Sequence, residues 1–277
     1  MKTFLFKIIL SILIGCKSDP GKFITTSDGI DMYYESHGTG EPTLVFIPSF
    51  TCDASTWDDQ ISYFKDKFHI VAVDLPGFGR SGSNRNNWNT ERYAEDVAEL
   101  ANELNLEDMF LIGHSLGAGV ALQATKNLKG KVSAVIIVDQ FRTLDVEFDS
   151  TYSTNVYNTY RDNYKDFDFM YDYFGNDSAL AKKFINMGKP SYPVYWYTIW
   201  TEYGRWCDTE VIPTVSGIQI PIRAINSDRS ETKLDEWYKY ARDFKAITFE
   251  NCGHYVHWEY PDKFNRTLDD LIQEILE

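Results

Sequence analysis

A serine between two glycines is the first pattern in this 277-residue sequence that could do chemistry. The segment at residues 113–117 reads Gly-His-Ser-Leu-Gly and lies between an apolar run, Phe110 to Ile112, and a helical pattern that begins at Leu116. Glycines two residues to either side of Ser115 permit a tight strand-to-helix turn, which would expose the hydroxyl at the N-terminus of a helix. This arrangement predicts a nucleophilic serine.

A serine is a weak nucleophile unless a base lies within hydrogen-bond reach of its hydroxyl. Two of the histidines precede the turn, and a third lies within it and points away from Ser115. In the chain order Ser, acid, His, this leaves His254 and His257 as candidates for the base. His254 follows an apolar strand pattern through an Asn-Cys-Gly loop, and ligands bind at such strand ends in open α/β sheets. We therefore expect His254 to be the base and His257 to pack in the core.

The third member should be a carboxylate that orients the imidazole and stabilises its cation. Two candidates follow apolar strand patterns between the serine and the histidine, namely Asp139 and Asp228. Asp228 is favoured because its strand comes just before the one that feeds the His254 loop. The same aspartate could instead cap the helix pattern that follows it.

Alternating strand and helix patterns must position these residues. A hairpin is expected at residues 23–35, around Asp28 and Gly29. The further strand patterns are residues 44–47, 70–73, 110–112, 132–138, 218–225 and 247–249, and the helical patterns are residues 54–64, 91–104, 116–128, 231–244 and 262–276. Short β-branched strands alternating with helices predict a doubly wound, mostly parallel sheet.

The Ser, Asp and His set, with Asp-Leu-Pro-Gly-Phe-Gly-Arg-Ser at residues 74–81 and Cys-Gly-His followed by Glu-Tyr-Pro at 252–261, resembles the α/β-hydrolase family over residues 22–277. The resemblance implies an α/β-hydrolase core at 22–141 and 213–277. It also implies an oxyanion hole formed by the backbone N–H groups of Leu116 and Phe50. Where the family commonly has His-Gly ahead of the second donor, this sequence has Pro48-Ser49.

An aromatic-rich segment interrupts the strand and helix alternation. Between residues 152 and 206, 17 of 55 residues are aromatic, which argues against disorder and favours a helical lid, assigned to residues 142–212. Its rings could form the core of the lid, line a pocket, or do both.

Composition and spacing exclude several function classes. A net charge of −14 argues against nucleic-acid binding. The cysteines have no zinc-ligand spacing, so no metal is expected, and no other cofactor is expected either. Residues 77–82 match the dinucleotide pattern G-x-G-x-x-G, but a loop follows where that motif requires a helix.

Residues 1–15 combine two lysines with a short apolar stretch, as a signal peptide does. Leu-Ile-Gly-Cys at 13–16 resembles the bacterial lipoprotein box, which implies acylation of Cys16, a tether at 16–21, a lipid bilayer as partner and a place in the bacterial cell envelope. Of the remaining cysteines, Cys52 and Cys252 could pair, although buried thiols are the favoured interpretation.

The hydrolase resemblance implies a carboxylesterase-like or lipase-like serine hydrolase acting on a small or medium apolar acyl substrate, and the lipoprotein-box resemblance implies that it is lipid-anchored. A cofactor-free haloperoxidase or perhydrolase, or a hydrolase of carbon–carbon bonds, would share the same three residues. A receptor that binds an apolar ligand without turnover is the alternative from another class.

Overall fold

A computed structural model describes residues 21–147, 149, 151, 154–155, 158, 174, 177–187 and 194–277. Over these residues the chain forms an eight-stranded, mostly parallel sheet with helices on both faces, as the strand and helix alternation predicts. The signal peptide, Cys16 and most of the tether predicted from the sequence lie outside the described residues. The predicted domain limits stay predictions.

The strands run in the order β1-β2-β4-β3-β5-β6-β7-β8. They are β1 (Gly21–Thr25), β2 (Asp31–His37), β3 (Thr43–Ile47), β4 (His69–Val73), β5 (Met109–His114), β6 (Val132–Val138), β7 (Ile222–Ser227) and β8 (Phe244–Phe249). The first two form the expected antiparallel hairpin, and β2 joins β4 antiparallel. From β4 to β8 every pair is parallel, so these strands end at one edge of the sheet.

The helices connect the strands across both faces. They are a 3₁₀ turn (Ala54–Trp57), α1 (Asp58–Phe64), α2 (Thr90–Glu103), α3 (Leu116–Ala124), α4 (Ser178–Met187), α5 (Val194–Thr209), α6 (Val211–Gly217), α7 (Leu234–Tyr240), α8 (Val256–Glu259) and α9 (Pro261–Leu276). In the part of the chain that the structure describes, no helix has the length and apolar character needed to cross a membrane.

Two clusters of buried side chains hold these layers together. Val45 and Ile47 of β3 belong to the cluster that includes α2, α3 and α6, whereas Leu44 and Phe46 belong to the cluster that includes α1 and α9. Successive side chains of a strand point to opposite faces, so the alternation along β3 shows that each face of the sheet has its own core.

Among the element boundaries that differ from the sequence-based expectation, two lie at junctions between a helix and a strand. The strand predicted at 218–225 starts at Ile222, because α6 occupies the chain up to Gly217. The helix predicted at 231–244 ends at Tyr240, since β8 begins at Phe244 and needs a turn before it. Both errors extend an apolar pattern across a junction where helix and strand meet, which periodicity alone does not resolve.

Candidate active site

Ser115 lies at the tip of a sharp turn between β5 and α3. Its backbone has φ 52° and ψ −116°, an unfavourable conformation for a residue with a side chain. A Cβ at Gly113 would lie 2.2 Å from the carbonyl oxygen of Gly117, and one at Gly117 would lie 2.4 Å from that of Ile47. Close backbone packing therefore explains both glycines, and it fixes the serine at the carboxyl edge of the sheet.

His254 is brought to the same edge by the loop that follows β8. The Nε2–H of His114 donates to the carbonyl oxygen of His254 at 2.9 Å, and the two imidazole rings lie 4.6 Å apart. Because His114 directly precedes Ser115, this contact attaches the histidine loop to the serine turn. His254 therefore lies at the edge of the sheet that also carries Ser115.

The carboxylate beside His254 is Asp139, and not Asp228 as the sequence analysis expected. Nδ1 of His254 lies 2.6 Å from Oδ2 of Asp139, and since a carboxylate only accepts, the imidazole donates. Asp139 follows β6, is fully buried and has a φ of 48°. Its other oxygen, Oδ1, accepts from the backbone N–H of Ser227 at 2.6 Å and from the Arg142 guanidinium.

The charge state of Asp139 is fixed by these partners. Burial alone would raise its pKa, but the hydrogen bond from His254 and the positive charge of Arg142 outweigh that effect and hold the pKa well below its ordinary value. Asp139 is therefore an anion throughout the pH range in which His254 could work as a base.

Asp228 has a different place. Its carboxylate accepts backbone hydrogen bonds from Asn251 at 2.8 Å and Cys252 at 3.3 Å, and these bonds lower its pKa. Its own N–H donates to the carbonyl oxygen of Phe249, so the chain at Asp228 still continues the β7–β8 pairing. The side chain consequently supports the loop ahead of His254 without contacting the imidazole.

The sheet order explains why the sequence-based choice was wrong. β6 lies directly beside β5, which ends in the serine turn, whereas β7 lies one strand farther away. The sequence shows that both aspartates follow strands, but it does not show which strand end lies closer to the serine. Arg142, three residues after Asp139, is a local sequence sign of a paired carboxylate.

Phe50 and Leu116, the two expected oxyanion donors, come from elements that meet at the serine. Leu116 is the first residue of α3, and Phe50 lies in the loop after β3, the neighbour of β5. That loop packs tightly on the turn, since a Cβ at Gly117 would lie 2.6 Å from the Pro48 carbonyl oxygen. The loop therefore lies beside the serine although it carries Pro48-Ser49 in place of the His-Gly that is common in the family.

Aromatic residues of α5 cover this site. The Tyr203 hydroxyl donates to the carbonyl oxygen of Ser115 at 3.1 Å, and the Trp196 indole lies 3.4 Å from the carbonyl oxygen of Gly77. Trp196 is buried, whereas Trp200 is half-buried with its ring 5.4 Å from that of Phe50. One ring of α5 thus lies in the buried core, and another packs against Phe50 while remaining partly exposed.

A cavity of about 370 Å³ opens beside this aromatic group. Phe78 and Trp196 line one side of it, and Thr51, Asp53 and Arg80 line the other. The rings of Phe78 and Trp196 both contact the ring of Phe50. The cavity thus has both aromatic and polar side chains in its lining.

His257 is a second buried histidine behind the site. It stacks on Trp57 at 4.4 Å and meets His114 edge-on at 4.8 Å. Neither ring nitrogen has a hydrogen-bond partner among the described residues, and burial lowers the pKa of His257 to about 3. It is a neutral core residue with no contact to Asp139.

The remaining sequence motifs have structural roles. No helix begins at the glycine-rich loop around Gly77, whose φ is +88°, because α2 begins only at Thr90. This loop therefore lacks the geometry that a dinucleotide site requires. Cys52, Cys207 and Cys252 are buried free thiols. Within the described ranges no group of His, Cys, Asp or Glu side chains is arranged to hold a metal ion.

Comparison with known proteins gives consistent matches. Residues 44–267 match the profile described as "Alpha/beta hydrolase family". A non-heme haloperoxidase of Rhodococcus erythropolis is 29% identical over 130 residues, covering 46% of this chain and 47% of the relative. A bifunctional esterase/perhydrolase of Acinetobacter calcoaceticus is 30% identical over 131 residues, covering 46% and 48%. The matched regions thus span about half the length of these relatives.

A solved structure extends the match to almost the whole chain. A thermophilic esterase from Thermogutta terrifontis superposes with a TM-score of 0.78 at 18% identity, covering 92% of this chain and 98% of the esterase. At this identity the superposition shows a shared fold.

Proposed function

The chain belongs to the alpha/beta hydrolase family, and from that premise we propose that it is a serine hydrolase that cleaves a carboxylic ester or a related acyl substrate. The observation that carries the proposal is the buried Asp139–His254 pair, held through His114 beside a serine in a strained turn. A protein that only bound ligands would have no use for a buried carboxylate directed at a histidine next to that serine.

The chemistry follows from these positions. Ser115 Oγ attacks the acyl carbon while His254 takes its proton, and Asp139 stabilises the imidazolium that forms. The N–H groups of Leu116 and Phe50 stabilise the oxyanion. His254 then returns the proton to the departing alcohol, and a water molecule activated in the same way hydrolyses the acyl-enzyme. No step needs a cofactor or a metal ion.

The aromatic surroundings support a small or medium apolar acyl group as substrate. Trp200 and Phe78 flank Phe50, whose backbone is the proposed oxyanion donor, so an acyl chain bound there would contact rings. A serine at the attacking position argues against the dehalogenase and epoxide-hydrolase chemistry of this fold, which uses an aspartate.

Perhydrolysis is the second candidate function. It is favoured by the similarity to a haloperoxidase and to an esterase/perhydrolase, and it would use the same acyl-enzyme with hydrogen peroxide in place of water. Carbon–carbon bond hydrolysis would share the three residues as well. Formation of peracid from an acyl ester and peroxide, measured against hydrolysis of that ester, separates these reactions.

A fluorophosphonate probe tests the proposal directly. We expect it to label the folded protein at Ser115, and Ser115→Ala to abolish both labelling and ester turnover, with a loss on the order of 10³-fold or more. Ser83→Ala, at an exposed loop serine, is the matched control and should retain full labelling. A wild-type protein that neither reacts with the probe nor turns over any ester of a graded acyl series would support the receptor alternative.

A further inference from the structure

Tyr203 of α5 binds the backbone of the proposed nucleophile. Its hydroxyl donates to the carbonyl oxygen of Ser115 at 3.1 Å, and the N–H of Ala118 donates to the same oxygen at 2.9 Å, so both lone pairs of that oxygen are used. We propose that Tyr203 is a positioning residue that orients and polarises the peptide group whose N–H, that of Leu116, stabilises the oxyanion. This inference rests on the proposed function.

The carbonyl oxygen of Ser115 and the N–H of Leu116 belong to one peptide group. A trans peptide is planar, so these two bonds lie in one plane and point in opposite directions. A hydrogen bond that fixes the carbonyl oxygen therefore fixes the direction of the N–H as well. Leu116 is the first residue of α3, so its N–H has no partner within the helix and can donate to a bound group.

The backbone of Ser115 makes this orientation depend on outside support. Its φ of 52° and ψ of −116° form a strained conformation, which persists only where surrounding contacts impose it. The ψ torsion of Ser115 sets the plane of the peptide that follows. Ala118 holds this peptide from within the turn, whereas Tyr203 lies 88 residues away in the sequence and holds it from a separate helix.

The same hydrogen bond also strengthens the N–H as a donor. Donation to a carbonyl oxygen polarises the peptide group, and hydrogen bonds linked in this way strengthen one another by roughly 10–30% each. Tyr203 is buried, and burial raises its pKa well above the ordinary value, so the hydroxyl keeps the proton that it donates. A donor already aimed at the site needs no reorganisation when negative charge develops.

Helix α3 has room for this tyrosine because residue 119 is glycine. A Cβ at Gly119 would lie 2.6 Å from Cε2 of Tyr203 and 3.2 Å from Cζ3 of Trp206. The indole N–H of Trp206 donates to Oε1 of Gln123 at 3.1 Å, which ties α5 to α3 at a second point. Both helices therefore contribute to the position of the Tyr203 hydroxyl.

The affinity for a trifluoromethyl ketone tests the proposal. Ser115 Oγ adds to the carbonyl carbon of this probe, the serine proton passes to His254, and the ketone oxygen becomes an oxyanion. In Tyr203→Phe, which removes only the hydroxyl, the inhibition constant should rise about tenfold, less than the roughly 10²–10³-fold cost of losing a whole oxyanion donor. The kcat/KM of an activated ester should fall by the same factor. The constant for the matching methyl ketone, which forms no stable adduct, should stay unchanged.

Tyr195→Phe is the matched control. Tyr195 lies on the same helix, and its hydroxyl also donates to a backbone carbonyl oxygen, that of Gly77, at 3.3 Å. That peptide carries no proposed oxyanion donor, so the affinity for the trifluoromethyl ketone should equal that of wild type. If tyrosine hydroxyls only held α5 in place, both variants would change alike.

Gly119→Ala perturbs the same contact from the other helix. The added methyl group displaces the Tyr203 ring without removing its hydroxyl, so the inhibition constant of the trifluoromethyl ketone should rise again. In the Tyr203→Phe background the same substitution should raise it no further, because two changes that act through one contact are not additive.

The outcomes separate this inference from the proposed function. A wild-type protein that reacts with neither the fluorophosphonate nor the trifluoromethyl ketone would overturn the proposed function, and this inference with it. If wild type reacts and Tyr203→Phe discriminates between the two ketones equally well, only the role of Tyr203 is overturned. Equal shifts in Tyr195→Phe, additive effects with Gly119→Ala, or a Tyr203→Phe chain that does not fold would overturn it too, since the hydroxyl is assigned to the oxyanion and not to stability.

Discussion

At the scale of single residues, the two aspartates show how similar sequence contexts lead to different roles. Asp139 and Asp228 each follow a buried parallel strand, yet one contacts the imidazole and the other binds two backbone N–H groups of the neighbouring loop. A substitution that keeps the shape of the side chain and removes its charge should therefore affect them very differently.

Asp139→Asn should lower kcat/KM by roughly 10⁴-fold, because an amide cannot stabilise the imidazolium and favours the wrong tautomer. Asp228→Asn should cost less than about tenfold, since the amide oxygen still accepts one of the two loop N–H groups and a single hydrogen bond contributes about 1 kcal/mol. Both are measured on one activated ester, with thermal melts as the folding control. Near-full activity in Asp139→Asn would contradict the assignment.

His257 carries a separate, pH-dependent consequence for stability. Its folded pKa of about 3 lies below the ordinary value of 6.5, so between these values the unfolded chain binds a proton that the native protein excludes. Stability is therefore lost as pH falls through this window, by up to about 1.4 kcal/mol per pH unit. In His257→Phe that contribution disappears, and denaturant unfolding at pH 8 and pH 5 should show a smaller loss than in wild type.

The pH 8 measurement is the internal control, because both proteins are neutral at position 257 there and any packing difference is already present. If the free-energy difference between variant and wild type is the same at both pH values, the buried histidine does not contribute to acid sensitivity.

Local pattern sufficed for the serine and the histidine but not for their partners. The glycines around Ser115 and the loop after β8 are readable because each depends on a few adjacent residues. The contacts of Asp139 with His254 and of Arg142 with Ser227 join residues 115 and 85 positions apart. Which strand end lies nearest the serine is decided by sheet order, a tertiary property that no short pattern contains.

At the scale of secondary-structure elements, the site depends on how closely β3, β5 and α3 approach. Gly117 has the carbonyl oxygens of Ile47 and Pro48 where a Cβ would be, at 2.4 and 2.6 Å. These oxygens belong to the backbone, so relief requires movement of the loop that carries Phe50. Strand and helix identities were predictable from the sequence, but this separation was not, because it depends on how the layers pack.

Gly117→Ala should lower stability by about 1–3 kcal/mol, the usual cost of overpacking. It should also lower the rate of fluorophosphonate labelling, since the shift displaces one proposed oxyanion donor. Gly217→Ala is the matched control: a Cβ there has no atom within 4 Å, and its stability should stay within about 0.5 kcal/mol of wild type. Thermal melts and labelling rates of the two variants make the comparison, and equal effects in both would refute the packing argument.

At the scale of the whole molecule, the net charge bears on how the protein could associate with a membrane. The chain carries 41 acidic against 27 basic residues. Among the described residues, the largely buried Arg85 and Arg92 both pair with Asp96. A net charge of −14 gives no electrostatic attraction to anionic lipid surfaces. We propose that the chain associates with membranes through covalent lipid attached at Cys16.

Expression of the full chain in a bacterial host tests that proposal. Wild type should sediment with membranes and begin at residue 16 after processing, because stable anchoring needs more than one acyl chain and lipoprotein modification supplies it. Cys16→Ala should be soluble or remain uncleaved, whereas Ser18→Ala should sediment like wild type. Fully soluble wild-type protein with another N-terminus would refute the anchor.

The long sequence separation between Ser115 and His254 has a consequence for biosynthesis. A ribosome completes the serine turn at residue 115 long before it reaches the edge strand β8 and the loop that holds the base. Until β8 pairs with β7, the serine lacks its proposed proton acceptor, His254, and the carboxylate that acts through this histidine has no effect on it. We therefore expect the nascent chain to be inert toward acyl groups. The proposed hydrolase therefore becomes reactive only after β8 has docked on β7.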